Sequence, residues 1–151
     1  MEPAFSVVPT PGADSPGLGW VLVCDDTPSI RTLIRINVEL SGFTVLESAD
    51  GQEALDILHA HLDDLPEVVV IDAQMEPRDG WWLARTIRRS AELAHIPVVM
   101  ATAAIQDQEK RRAAKTGIDA FVRKPFDPDH LVDLIEGFAR EGRAFDTSAR
   151  P

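Results

Sequence analysis

Two hydrophobic periods alternate along the chain. Short, unbroken apolar runs recur at residues 20–24, 43–47, 67–72, 97–101 and 120–122. Runs of this length, rich in β-branched residues and bounded by Pro, Gly or polar loops, predict strands buried on both faces. The strongest is Val68-Val69-Val70-Ile71, which follows Pro66 and ends on Asp72. Between the runs the apolar positions switch to helical spacing: Ile30, Leu33, Ile34 and Val38, then Ala54, Leu55, Leu58 and Leu62, then Trp81, Leu83, Ala84 and Ile87, and finally Leu131, Leu134, Ile135 and Phe138. A charged helix over 107–116 fills the fourth place. Trp81 and Trp82 are adjacent, so helical geometry predicts one buried and one half covered.

The punctuation supports these elements. Thr27-Pro28 and Asp127-Pro128 read as an N-cap followed by proline in the first helical turn. Asp50, with Glu53 three residues on, has the form of a capping box. Gly42 and Gly117 close helices where positive φ is needed. Five repetitions of strand then helix predict an α/β fold, a doubly wound parallel sheet with right-handed crossovers and helices on both faces. No internal repeat is present. The expected organisation is a flexible Pro- and Gly-containing tail over 1–18, one domain over 19–140, and a short tail over 141–151 with no output domain.

Composition narrows the function. The chain has 25 acidic against 15 basic residues, a formal net charge of -10. Such a surface repels phosphate backbones, so direct binding to nucleic acid or anionic membrane is not expected. No run approaches the ~18 apolar residues of a membrane span. The single cysteine, Cys24, excludes an intrachain disulfide and fits a small buried core residue in a reducing, cytoplasmic setting. His59, His61, His95 and His130 are scattered and expected at the surface, so nothing suits zinc.

The strand ends carry the chemistry. Asp25 and Asp26 end the first, Asp72 the third and Thr102 the fourth, and Lys124 follows the fifth. In a parallel doubly wound sheet these ends share one edge, where ligands bind. Two like charges ~4 Å apart repel by roughly 4 kcal/mol at an effective dielectric of 20. Three carboxylates in one cleft therefore call for a cation beyond Lys124, and an all-oxygen donor set suits Mg²⁺. Mg²⁺, a lysine, a hydroxyl and backbone N–H groups together make a clamp for a phosphoryl group. Asp72, alone on the central strand, is the candidate nucleophile, and the Asp25-Asp26 pair suits metal binding. The plainer readings are a turn-capping Asp72, a strand-end hydroxyl at Thr102, a solvated turn lysine at Lys124 and a core aromatic at Phe121. The Lys110-Arg111-Arg112 run reads as a solvated helix face or as a contact for an acidic partner.

These residues, in order, resemble the receiver domain of two-component response regulators. The matching signals are Asp25-Asp26, Asp72 with Met75 and Asp79-Gly80 behind it, Ala101-Thr102-Ala103, Gly117 to Phe121 and Lys124-Pro125-Phe126, over about Trp20 to Arg140. The resemblance implies a flavodoxin-like, CheY-like sheet of order 2-1-3-4-5 with five helices. It implies a stand-alone signalling receiver rather than an enzyme in its own right, which catalyses only its own phosphoryl transfer and autodephosphorylation. Asp72 would accept a phosphoryl group from a phosphohistidine on a sensor kinase or phosphotransfer protein. Asp26, Asp72 and the Gln74 carbonyl would bind Mg²⁺, with Asp25 acting through water. Lys124, Thr102 and the N–H groups of Gln74 and Ala103 would hold the phosphoryl oxygens. Thr102 and Phe121 would form the switch, with Phe121 turning into the space behind Thr102. A downstream partner, or a phosphorylation-dependent dimer, would use the face of the fourth helix, fifth strand and fifth helix.

This chain departs from the family pattern at four places. Glu76 separates Met75 from Pro77, Gln74 and Ala104 stand at positions that influence phosphoryl lifetime, and Phe121 stands where Tyr is frequent. The competing function is a pseudo-receiver, a binding scaffold without the phosphoryl switch. A multi-turnover phosphatase is disfavoured because Ala73 and Gln74 follow Asp72 where such enzymes place a second aspartate.

Overall fold

The computed structural model describes residues 17–103 and 105–149. Its elements are β1 (Trp20–Cys24), α1 (Pro28–Leu40), β2 (Thr44–Ser48), α2 (Gly51–Ala60), β3 (Val68–Asp72), α3 (Gly80–Arg89), β4 (Val98–Thr102), α4 (Asp107–Thr116), β5 (Ala120–Arg123) and α5 (Pro128–Glu141), followed by two short 3₁₀ turns. All strand pairs are parallel, and the sheet order is β2-β1-β3-β4-β5, the flavodoxin-like arrangement expected from the alternation. Observed strand bounds differ from the expected ones by one residue at several ends. The expected N-terminal tail lies largely outside the described residues, as does Ala104. No helix among the described residues is long and apolar enough to cross a membrane.

Every residue of β1, β3 and β4 is buried, as a sheet covered on both faces requires. Alternate side chains divide between two cores. Trp20, Leu22, Val69, Ile71 and Met100 pack beneath Leu58 of α2 and Leu83 and Ile87 of α3. Val21, Val23, Val70 and Val99 pack beneath Ile34 and Val38 of α1 and Leu131, Ile135 and Phe138 of α5. Of the tryptophan pair, Trp81 is buried and Trp82 half covered, as the spacing predicts. Cys24 is wholly buried, and burial pushes its thiol up to about 12, so it remains a protonated core residue. His59 and His95 are exposed. His61 is partly covered, bonded to the Ile57 carbonyl and packed against the Trp20 ring.

Residues 141–149 are more ordered than a tail. Phe145 is buried edge-on against Phe138, with ring centroids 5.2 Å apart. It covers Gly137, where an added Cβ would collide with the Phe145 ring. One turn earlier, Arg143 bonds Asp119 at 2.9 Å. The other oxygen of Asp119 accepts from Arg88 at 2.6 Å and from the Val98 N–H at 2.8 Å. Arg88 also donates to the carbonyls of Gly117, Ala94 and Ile96. This ionic clamp closes the amino edge of β4 and β5. Hydrophobic spacing carries no trace of it, because its members are charged residues in loops and at element ends.

Arg88→Ala would leave three carbonyls and Asp119 short of donors in a half-buried position. The variant is expected to lose roughly 3 kcal/mol of stability in urea unfolding, with divalent-cation binding at the opposite edge unchanged.

Candidate functional site

The carboxyl edge of the sheet gathers the expected residues. Asp25 and Asp72 are buried and Asp26 is exposed. Carboxylate oxygens of the three lie within 4.8 Å of one another. Lys124 reaches from β5 across this group, with its Nζ 3.0 Å from Asp25 Oδ2 and 3.3 Å from Asp72 Oδ1. The β4–β5 register puts Thr102 opposite Arg123. The Lys124 N–H continues the ladder by donating to the Thr102 carbonyl at 2.9 Å. Thr102 is buried at the same edge.

Local hydrogen bonds aim these groups. Asp25 Oδ1 accepts from the Thr27 N–H at 2.9 Å, which turns the chain into α1. Thr27 stands at the N-cap position but makes no side-chain cap bond, contrary to the expectation from Thr27-Pro28; the Asp25 bond shapes the turn before the helix. Arg31 of α1 donates to the Asp25 carbonyl at 2.6 Å and pairs with Glu47 of β2 at 3.1 Å, pinning the loop that carries both aspartates. Asp72 Oδ1 accepts from the Gln74 N–H at 3.2 Å. Asp79 caps α3 through the Trp82 N–H at 2.8 Å.

Gly80 begins that helix and bonds the Ala73 carbonyl at 3.1 Å. A Cβ there would press on the Asp72 carbonyl oxygen and lie 2.7 Å from Ile71 Cγ2. Only glycine lets α3 start this close to the end of β3. The Asp79-Gly80 pair is readable in the sequence as a cap and a close approach. The reach of Arg31 to Asp25 leaves no local signal.

The site opens into a cleft of about 880 Å³. Asp26, Asp72, Gln74, Ala103, Thr102 and Lys124 line it, together with Glu76, Trp81, Glu109 and Arg112. The Glu76–Pro77 and Lys124–Pro125 peptides are cis. Phe121 is half buried and packs edge-on against Trp81, with centroids 6.1 Å apart and planes at 70°. The Arg112 guanidinium lies over the other part of this pair, 4.4 Å from the Trp81 ring centroid. Contacts of that kind contribute about 0.5–1 kcal/mol at exposed positions. Trp81 and Arg112 were not foreseen as site residues, because helical spacing marks the first as core and the second as solvated.

Electrostatics favour a cation. Burial, then the neighbouring Asp25 charge, push the Asp72 carboxyl above its ordinary value, against the opposing pull of the Gln74 N–H and Lys124. Burial works against the Lys124 ammonium, but its contacts with Asp25 and Asp72 outweigh it and raise its pKa. Lys124 therefore stays charged, and the edge remains acidic. Around an octahedral ion, oxygen ligands at ~2.1 Å are separated by at most ~4.2 Å. The three carboxylates sit close to that spacing, so the residues present fit Mg²⁺.

A doubly wound sheet whose carboxyl edge gathers an aspartate triad, a lysine and a threonine hydroxyl is the architecture of a signalling receiver. The sequence model of the response regulator receiver domain matches residues 21–136, and the chain belongs to that family, the receiver domains of two-component systems. It is 34% identical over 125 residues to the response regulator Rre1 of Synechocystis, covering 82% of this chain and 53% of that protein. It is 32% identical over 120 residues to the probable transcriptional regulator ycf27 of Guillardia theta, covering 80% and 45%. The chain thus spans about half the length of these relatives. Among solved structures it resembles the receiver domain of the Francisella response regulator 1452, with TM-score 0.72 and 29% identity over 80% of this chain and 95% of that one. It also resembles the chemotaxis response regulator CheY4 of Vibrio cholerae, with TM-score 0.72 and 25% identity over 78% and 96%.

Two outcomes follow. A raised Asp72 pKa means the folded state holds that proton more tightly than the unfolded chain does. Its contribution to stability therefore falls as pH rises through the carboxylate range. Asp72→Asn is expected to raise the thermal midpoint at neutral pH without divalent ions, by roughly 2–4 °C, and the gain should fade as the pH is lowered into that range. Gly80→Ala is expected to cost about 1–3 kcal/mol in urea unfolding and to weaken Mg²⁺ binding, as the α3 terminus is forced off β3.

Proposed function

We propose that the protein is a phosphorylation-switched receiver of a two-component phosphorelay, with Asp72 as its phosphoacceptor. The observation that carries this reading is the Lys124 ammonium bridging Asp25 and Asp72 beside the Thr102 hydroxyl. Asp72 Oδ1 is held by Lys124 and the Gln74 N–H. Oδ2, which takes neither contact, is the attacking oxygen. It bonds to the phosphorus of a phosphohistidine, the P–N bond breaks, and the electron pair returns to the imidazole nitrogen, which takes up a proton.

Lys124, Thr102 and the N–H groups of Gln74 and Ala103 receive the phosphoryl oxygens. Asp26, Asp72 and the Gln74 carbonyl would hold Mg²⁺, with Asp25 reaching it through water. When bound, the ion neutralises the charge that gathers as the donor approaches. Release of phosphate by water attack on the same centre resets the switch. A hollow of about 300 Å³ lined by Ile30, Leu33, Pro125 and Phe126 adjoins Lys124 and offers an apolar seat for the protein that brings the phosphohistidine.

Phosphorylation draws Thr102 inward and shifts Phe121, and with them the face formed by α4, β5 and α5, where a downstream partner or a second copy of the chain docks. This is a population shift of a two-state element driven by local charge. The work takes place in the cytoplasm.

Incubation with Mg²⁺ and acetyl phosphate is expected to add one phosphoryl group by mass, in an acid-stable, base-labile linkage. Asp72→Asn is expected to abolish it. An unmodified wild-type protein would favour the scaffold reading.

A further inference from the structure

The cleft presents a problem for any phosphoryl donor. The donor is an anion, and the walls carry Asp26, Glu76 and Glu109 besides the acceptor itself. Lys124 is already committed to Asp25 and Asp72. The remaining cation of the lining is Arg112, on α4, and its situation differs. Among the described residues its guanidinium has no carboxylate within ion-pair distance. Its neighbour Glu109 is occupied at the start of α4, where it accepts the Gln106 N–H at 3.1 Å. What holds Arg112 is the Trp81 ring, 4.4 Å away, itself buried and steadied by Phe121. A guanidinium stacked on an aromatic face keeps its N–H donors pointing outward in its own plane. Such donors match the oxygens of a phosphate in a bidentate way.

We propose that Arg112, held over the Trp81 ring, is a positioning residue that receives the negatively charged phosphoryl donor before transfer to Asp72. This rests on the phosphoacceptor reading above. Arg112 offsets the acidic walls and guides the donor toward the Lys124–Asp72 pair, while the bond making and breaking stay with Asp72. Trp81 serves as its platform: it is packed into the core, and its Arg112-covered side lines the cleft.

The test uses acetyl phosphate at saturating Mg²⁺, with initial rates of adduct formation read by mass against donor concentration. Arg112→Gln is expected to slow the reaction about tenfold at subsaturating donor, the loss of one charge-assisted contact. Its thermal midpoint should fall by no more than ~4 °C, the loss of the ring contact, and its Mg²⁺ affinity should match that of the wild type. Arg112→Lys should recover part of the rate, because it keeps the charge but not the planar stack. The wild-type rate should fall more steeply with added salt than the Arg112→Gln rate. An Arg112→Gln protein that forms the adduct at the wild-type rate overturns the proposal and leaves Asp72 as acceptor. A slower rate accompanied by weaker Mg²⁺ binding, or by a loss of stability larger than the ring contact supplies, also overturns it, since the role would then be structural. Absence of any adduct on the wild type overturns the phosphoacceptor reading and this proposal with it.

Discussion

The Lys124 ammonium stands 3.0 Å from one buried carboxylate and 3.3 Å from another, and the layout of the carboxyl edge follows from that position. The parallel sheet brings Asp25 and Asp72 together whether or not they repel, because β1 and β3 are hydrogen-bonded neighbours in fixed register. Without a cation between them the two strand ends would be driven apart, or one carboxyl would stay protonated. A single ammonium does not neutralise three carboxylates. The residual negative charge suits the edge to a further cation, and burial together with the Asp25 charge makes Asp72 reluctant to ionise.

Around that centre, backbone geometry does most of the aiming. Asp25 at once pairs with Lys124 and accepts the Thr27 N–H in the turn that leads into α1. The Gln74 N–H braces the Asp72 carboxylate. Gly80 brings the start of α3 against the end of β3, and Gly51 brings the start of α2 against the β3–α3 loop, its N–H donating to the Arg78 carbonyl at 2.9 Å. The helices that cover the apolar faces of the sheet thus also fix the loops that carry the chemistry. Packing and site are one construction.

The sheet was legible because its strands are buried on both faces, so their apolar runs are unbroken. The site was legible because each functional group sits where such a run stops. The sheet order is one that the residues support only through resemblance, since alternation alone does not rank parallel strands. Two features escaped for a physical reason. The pairing of Arg88, Asp119 and Arg143 and the reach of Arg31 to the Asp25 carbonyl join charged residues far apart in sequence. A linear pattern records the period of a side chain but not the partner it meets. Phe145 was missed because it stands alone, four residues past the end of α5, where one aromatic makes no pattern. Trp81 was assigned correctly to the core, yet its Arg112-covered side forms part of the cleft wall, which a division into buried and exposed does not capture.

The clamp of Arg88, Asp119 and Arg143 lies at the amino edge, across the full length of the strands from Lys124. The molecule therefore separates two kinds of inherited damage. Lesions at the clamp would lower the amount of folded protein and leave the carboxyl edge of each surviving molecule intact. Loss of the Asp26 or Asp72 carboxylate would leave abundance intact and alter the carboxyl edge of every copy. A cell carrying the first kind could compensate by raising expression, whereas one carrying the second could not.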